Sequence, residues 1–311
     1  MKYPNFSVTF YLEGTATLLR TVEKGVTTLA SENEFGTFMG GKFNSHDVTN
    51  EFHQCSSVVN HDINTATMKR FAFRSGSNLI VFRVGATTNA KISAPKVDIV
   101  QTYTFSRGQF EHIANGGNIM GLFAHDGDNC LDCPFRGNDT NTDARKGGCY
   151  THKFPQARGF ASMLKSIRRQ YTWDTVPEIP DQIPVDLLKA CAGLYIRFGT
   201  YGEPSLIPIR WVTQLCGVAK SWTGYTHQWA KAWAQVYSNY FMASAHNNFE
   251  QAIASDMGWR SFIASDGNVD EAGLVHCPAS SESGYKSTCA ACGLCSGAEG
   301  KGKKSVVIFE H

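Results

Sequence analysis

The stretch "GLYIRFGTYGEPSLIPIRWVTQLCGVAKSWTGYTH", residues 193–227, contains the clearest indication of the fold class. It begins with a continuous apolar run typical of a buried strand, continues with helical periodicity and ends in a second strand. The alternation then carries on: "QWAKAWAQVYS" and "FEQAIASDMG" predict helices, and "YFMASAH", "WRSFIAS", "GLVHCP" and "SVVIFEH" predict strands. Alternating helices and buried strands indicate a parallel sheet built from βαβ units.

The pattern begins upstream of this stretch, near residue 76. There "NLIVFRVGA", "VDIVQTYTF" and "NIMGLFAH" predict strands and "FASMLKSIRRQY" predicts a helix. We therefore expect an α/β fold with a TIM-barrel-like (β/α) parallel barrel, complete or irregular, over residues 76–311. Residues 1–70 differ: "SVTFYLEG", "TATLLRTV" and "GVTTLAS" predict a β-rich N-terminal extension, a small antiparallel meander.

Polar residues close nearly every predicted strand, and three histidines are among them. These residues are Thr200, Tyr201, Thr226, His227, Ser244, His246, Ser265, Asp266, Ser280 and His311. In parallel α/β folds the carboxyl ends of the strands face the ligand. Loops are polar in any case, which explains the Ser and Asp residues better than it explains the histidines.

The composition is that of an ordinary globular protein. The chain has 311 residues, 42% of them apolar and 18% charged, with a net charge of +2. The most basic runs are "KSIRRQ" at 165–170 and "KGKK" at 301–304, a weak footprint for a phosphate-backbone binder, so nucleic acid stays open as a partner. Neither a signal peptide nor a membrane span is expected, which predicts a cytoplasmic protein with no membrane partner.

The chain has ten cysteines, and four of them form a compact set near its C-terminal end. Cys277, Cys289, Cys292 and Cys295 are a four-ligand set, and clustered thiols in the cytoplasm indicate metal or cluster ligands before disulfides. Structural zinc and an iron–sulfur cluster are both open readings. The Cys-x2-Cys-x2-Cys spacing favours a [4Fe–4S] cluster.

A second set has three cysteines, Cys130, Cys133 and Cys149, and lies in a long loop after "NIMGLFAH". A closed site needs a fourth ligand, for which the neighbouring candidates are His125, Asp126, Asp132 and His152. The sharper hypothesis is a [4Fe–4S] cluster with one open iron on the active face. The alternative is a structural zinc knuckle closed by His152.

The remaining cysteines are isolated from these sets. Cys191 and Cys216 lie in apolar helical contexts and are predicted to be core thiols. Cys55 lies in a polar loop that predicts no role.

The order of the motifs resembles that of an uncharacterised family found in tailed bacteriophages and prophage-bearing bacteria. The motifs are "CLDCPFRG", "GGCYTHKFPQAR", "YIRFGTYGEPSLIP", "WTGYTHQW", "FMASAHN", "GWRSFIAS", "CPASSESGYKSTCAACGLCSG" and "SVVIFEH". The resemblance covers roughly residues 76–311 and includes an upstream Asn-x-Lys pair, Asn89 and Lys91. It implies that the protein works in the infected or prophage-bearing host cell.

A remoter likeness joins this family to the phage gene-product-88-like and Gp37/Gp68-type proteins. The latter are grouped with radical S-adenosylmethionine enzymes, which have an open barrel and a three-cysteine [4Fe–4S] cluster. That likeness implies S-adenosylmethionine as a cofactor. The cysteine spacing departs from the short Cys-x3-Cys-x2-Cys loop of those enzymes, and "YGEP" at 201–204 replaces a Gly-Gly-Glu-Pro stretch.

Together these features predict an iron–sulfur protein, an enzyme acting on a small-molecule or nucleotide substrate. Four residues at strand mouths are candidates for the substrate site: Arg197, Glu203, His227 and His246. The arginine would clamp an anion and the histidines would act as general acid or base. Tyr225, Trp222 and Trp229 would stack on a ring or, as a simpler reading, pack in the core.

Two other classes of function remain open. In one, both cysteine sets are zinc knuckles of a non-enzymatic phage accessory protein, a binding module. In the other, the protein serves in the virion or its assembly. In either case residues 1–70 would offer a docking surface for a phage or host protein.

Overall fold

The computed structural model describes residues 68–136, 149, 151–265, 269–280, 283–284, 286–300 and 302–309, together with the strand backbone within residues 7–37. The chain divides into two compact units, Met1–Asp62 and Ile63–His311. Cys55 lies outside the described residues.

The first unit contains an antiparallel meander, as its β-prone runs predict. Its strands are β1 Ser7–Leu12, β2 Ala16–Glu23, β3 Val26–Asn33 and β4 Gly36–Thr37. Each pairs with the next along the chain, in the order β1-β2-β3-β4.

The second unit begins with a mixed sheet. Its strands are β5 Lys69–Ser75, β6 Asn78–Ala86, β7 Asp98–Ser106, β8 Tyr195–Tyr201 and β9 Ser221–Thr223. The first three strands are antiparallel neighbours, and β7, β8 and β9 run parallel. A two-residue turn with Gly76 at φ +57° joins β5 to β6, a conformation that glycine adopts at little cost.

A second sheet follows, and all its strands are parallel. They are β10 Tyr225–Thr226, β11 Met242–Ala245, β12 Ser261–Ser265, β13 Val275–His276 and β14 Val306–Phe309. Their order is β10-β11-β12-β14-β13. Only Gly224 separates β9 from β10, and a Cβ there would lie 2.5 Å from Phe241 Cδ1, so a larger residue would displace the Phe241 ring in the first core.

Helices connect the parallel strands. The α-helices are α1 Arg107–Ala114, α2 Gly127–Cys130, α3 Phe154–Arg168, α4 Val185–Cys191, α5 Ile209–Val218, α6 Asn248–Asp256 and α7 Cys289–Cys292. The 3-10 helices are Met120–His125, Trp173–Thr175, Pro204–Leu206 and Ala232–Tyr237. Within the described part of the chain, no helix is long and apolar enough to cross a membrane.

Strand β6 separates the two main hydrophobic cores, because successive side chains on a strand point to opposite faces. Ile80 and Phe82 pack in one core with Trp211 of α5, and Leu79 and Val81 pack in the other with residues of α1 and α3. The first core also contains Cys191 and Cys216, whose prediction as core thiols is confirmed.

The α/β class is confirmed, but closure into a barrel is not. Among the described residues, the two sheets end at β5 and β13, and no pairing joins these edges into a closed sheet. One local prediction was wrong: "NIMGLFAH" forms the 3-10 helix Met120–His125 and not a strand, and this helix buries Leu122 and Phe123 in the second core. The helix predicted over "QWAKAWAQVYS" is present as the 3-10 helix Ala232–Tyr237.

Candidate functional site

The three-cysteine segment is held by backbone hydrogen bonds that bring its distant members together. Cys130 ends α2, and its N–H donates to Asp126 O at 2.9 Å. The Cys133 N–H donates to Cys130 O, and the Cys149 N–H donates to Phe135 O at 3.1 Å. The last bond returns Cys149 to the Cys130–Cys133 turn across the 15-residue gap.

The three thiols are desolvated, and negative charges on neighbouring groups oppose their ionisation further. Burial raises the pKa of Cys130 and Cys149 and raises that of Cys133 to about 12. The charges of Asp126, Cys133 and Cys149 raise the pKa of Cys130 further. These thiols are therefore protonated near neutral pH, and their ionisation needs a compensating positive centre.

Asn129 fastens this segment to the carboxyl ends of the first sheet. Its buried side-chain amide donates to Thr104 O of β7 at 2.8 Å, and its backbone carbonyl accepts from Glu203 N at 2.7 Å. Gly202 fits against the same pair, because a Cβ there would lie 2.5 Å from Thr104 O and 3.0 Å from Asn129 Nδ2. Asn129 lies in no motif, so the sequence alone did not indicate its role.

His227 and His246 meet at this edge, as parallel strands predict. Their rings stack with centroids 5.4 Å apart, and the ring of Phe135 lies edge-on to both. His227 Nε2 is 3.9 Å from Cys133 Sγ, which places the pair beside the cysteine loop. Burial and the nearby charge of His246 lower the pKa of His227 to about 4, so its ring is neutral at pH 7 and suits an acceptor better than a general acid.

Glu203 is a positioning residue in this arrangement. Its buried carboxylate accepts from Ser205 N at 3.0 Å, Ser205 Oγ at 2.8 Å and His227 N at 3.2 Å. Burial raises the pKa of Glu203, and hydrogen bonds from Thr226, Ser205 and His227 oppose that shift. The carboxylate therefore joins the end of β8 to the end of β10 and orients the backbone of His227.

Three of the proposed fourth ligands have other partners. His152 Nε2 lies 3.3 Å from Asp126 Oδ2, and both side chains are buried. Asp132 Oδ2 pairs with Lys231 Nζ at 2.7 Å. The fourth candidate, His125, packs its ring against His112 at 4.9 Å.

The four-cysteine set is built around α7, which begins at Cys289. Thr288 caps the helix through Ala291 N, and Gly293 ends it at φ +64°. The Cys289 N–H donates to Lys91 O at 2.9 Å. Asn89 shapes that loop by accepting from Lys91 N at 3.0 Å, which gives the Asn-x-Lys pair a structural role beside the cysteines.

The thiols of this set also interact. Burial raises the pKa of Cys295, and the charges of Cys277, Cys289 and Cys292 raise it further. The Tyr225 hydroxyl donates a hydrogen bond to the Cys295 sulfur, which opposes the shift. Cys277 and Cys295 pack in one hydrophobic cluster with Tyr225 beside them.

Arg260 holds the loop that carries Cys295. Its buried guanidinium donates to Gly297 O at 2.8 Å, Leu294 O at 2.9 Å and Lys304 O at 3.2 Å. Charge-assisted bonds to three carbonyls fix the loop against the start of β14. Arg260 lies in the motif "GWRSFIAS" but has no spacing signature there, so the sequence alone did not indicate its role.

Arg197 lies on the side of the four-cysteine set, away from the predicted substrate mouth. Its positive charge lowers the pKa of Cys289 and Tyr195, whereas burial raises both. Arg197 and Tyr195 are two residues apart on β8 and share one face of the sheet. The structure thus brings Glu203, His227 and His246 to one end of β8, and Arg197 to the other site.

The tryptophans of "WTGYTHQW" have core roles. Trp229 is buried in the first core and donates to Ser244 O at 3.2 Å. Trp222 packs against that core and donates to Tyr240 O at 2.9 Å. Core packing is therefore the reading that the structure favours for both.

Across the residues that the structure describes, no group of three or more His, Cys, Asp or Glu side chains converges with the geometry to hold a metal ion. Comparisons with protein-family models, curated proteins and solved structures found no match to this chain.

Proposed function

We propose that this chain is an iron–sulfur protein with an active site at the carboxyl edge of its parallel strands. Cys130, Cys133 and Cys149 would hold a [4Fe–4S] cluster with one open iron, and the four C-terminal cysteines would hold an auxiliary cluster. The observation that carries the proposal is the return of Cys149 to Phe135 O, beside Cys133 and the paired histidines. Residues far apart in sequence meet there at a ligand-facing edge.

The sequence spacing of the C-terminal cysteines supports a cluster over one ion. Cys289-x2-Cys292-x2-Cys295 is a compact run that can wrap one cubane, in which each thiolate binds a different iron. Zinc sites more often take their sulfurs from two separated Cys-x2-Cys pairs. Burial and neighbouring charges raise the pKa of Cys130 and Cys295, so ionisation of these thiols needs a bound positive centre in either case.

Three of the candidate fourth ligands pair with neighbouring side chains, and His227 lies beside the proposed open iron. His152 is engaged with Asp126, and Asp132 is engaged with Lys231. His227 lies next to Cys133 as a neutral ring, where it can accept a proton from a bound substrate or orient it. Glu203 keeps His227 in place.

A cluster of this type supplies electron transfer, and its open iron would bind the substrate or a cofactor. S-adenosylmethionine is the cofactor that the remote family likeness suggests, and a small molecule or nucleotide is the substrate class. The nine described cysteines are free thiols, as expected of a reducing compartment such as the cytoplasm of an infected host cell. The competing proposal is a zinc-binding, non-enzymatic phage accessory protein.

The test is metal and sulfide analysis of protein purified without oxygen. Cys149→Ala should remove about half of the iron, because two cubanes hold equal amounts. Cys216→Ala, which removes a core thiol, should leave iron unchanged. Colourless protein with stoichiometric zinc would establish the competing proposal, and unchanged iron in Cys149→Ala would show that the three-cysteine assignment is wrong.

The use of S-adenosylmethionine as a cofactor is tested by a separate assay. Reduced protein containing iron should cleave S-adenosylmethionine, and Cys149→Ala should not. If the wild-type protein has both clusters but leaves S-adenosylmethionine intact, the proposal of this cofactor is wrong and the iron–sulfur proposal stands.

A further inference from the structure

A basic cleft lies between β5 and α3, apart from the residues of the cysteine sites. Its volume is about 390 Å³, and the side chains that line it include Arg70, Arg158, Lys165 and Arg169. No carboxylate is among the described residues that line it. Four cations in one cleft stand out in a chain whose whole net charge is +2.

The helix side of the cleft is a regular stripe. Arg158, Ser162, Lys165 and Arg169 recur at spacings of four, three and four residues and are all exposed. Such spacing puts side chains on one face of a helix. The stripe runs for about 16 Å, at about 1.5 Å per residue.

The strand side supplies a cation that is half-buried. Arg70 donates to Ser166 Oγ at 3.0 Å, a neutral partner. Its neighbour Arg83 donates to Gln101 Oε1 and Ala86 O, which are also neutral. Burial and the charge of Arg83 lower the pKa of Arg70, so two arginines lie close together without a compensating carboxylate in the described part of the chain.

We propose that this cleft binds the phosphodiester backbone of single-stranded nucleic acid. A stripe of about 16 Å is long enough to contact several phosphates, because the phosphates of one stacked strand are about 3.4 Å apart along the axis and those of an extended strand are further apart. A flexible single strand can enter the cleft and reach Arg70 together with the stripe, whereas a rigid duplex would meet only the exposed helix side. The cations that line the cleft would contact phosphates, which carry no sequence information, so the binding is independent of base sequence.

The experiment is fluorescence anisotropy with a labelled mixed-sequence oligonucleotide, repeated over a range of salt concentrations. Four phosphate contacts predict a slope of log K against log salt of about −2.8, which is about a 50-fold loss of affinity for a fourfold rise in salt. The double variant Arg158→Gln/Arg169→Gln should have a slope of about −1.4 and about a sevenfold loss. These exposed positions leave the fold intact.

Arg168→Gln is the matched control, because Arg168 is exposed on the same helix and does not line the cleft. Its slope should equal that of the unmodified protein. Equal slopes for the control and the double variant would overturn the proposal. So would equally tight binding of a duplex of the same length, or competition by inorganic phosphate as strong as competition by unlabelled oligonucleotide.

Discussion

Replacing Gly202 with alanine should loosen the junction between β8 and the three-cysteine segment. Gly202 has φ +75°, and its Cβ would lie 2.5 Å from Thr104 O and 3.0 Å from Asn129 Nδ2. The left-handed backbone costs an alanine about 1–2 kcal/mol. Overpacking against Thr104 and Asn129 adds about 1–3 kcal/mol, because the carbonyl is fixed in β7.

Gly193→Ala separates the two costs. Gly193 has nearly the same backbone angle, φ +73°, and no described atom lies within 4 Å of its Cβ position. It should lose only about 1–2 kcal/mol of unfolding free energy. The extra loss in Gly202→Ala should lower Tm by a further 2–12 °C or so, at about 2–4 °C per kcal/mol for a body of this size.

Thermal unfolding of the two variants side by side measures the difference. Under the iron–sulfur proposal, Gly202→Ala should also retain less iron than Gly193→Ala, since Asn129 precedes Cys130. Equal Tm values for the two variants would refute the close contact. A lower Tm with undiminished iron would show that the junction does not position the cysteines.

Two further predictions concern the four-cysteine loop. Arg260→Lys should lose about 3–5 kcal/mol of unfolding free energy, because lysine cannot donate to all the buried carbonyls that the guanidinium satisfies. The control, Arg210→Lys at an exposed ion pair, should lose under about 1 kcal/mol. Chemical denaturation measures both losses, and equal curves for the two variants would contradict the prediction. Tyr225→Phe removes the hydrogen bond to the Cys295 sulfur. Under the iron–sulfur proposal, a redox titration should then give a more negative reduction potential for the auxiliary cluster, whereas Tyr240→Phe should leave that potential unchanged.

The sequence predicted most of the strands because their apolar runs are strong local signals. It failed at "NIMGLFAH", where Leu122 and Phe123 are buried by a helix that packs on the second core. A short apolar run looks the same whether a strand or a helix buries it. Local sequence patterns also do not predict whether the sheet closes, because closure depends on whether the edge strands β5 and β13 come close enough to pair.

The sequence predicted that His227 and His246 lie together, but it did not separate Arg197 from them and did not predict the supporting residues. His227 and His246 follow strands whose parallel register brings them together. Asn129 and Arg260 act through backbone carbonyls of distant segments, and such contacts leave no spacing signature. The sequence places Glu203 at a strand end, where it was predicted to line the substrate site. In the structure its carboxylate is buried and accepts a hydrogen bond from His227 N, so it positions His227.

Strand β8 connects the two cysteine sites. Arg197 acts on Cys289 at one site, and Glu203, six residues later, accepts from His227 at the other. Six extended residues span at most about 20 Å, and the irregular register between Gln101 and Tyr103 shortens that reach. Under the iron–sulfur proposal, this shared strand would hold the two clusters at a fixed separation, which is what electron exchange between them requires.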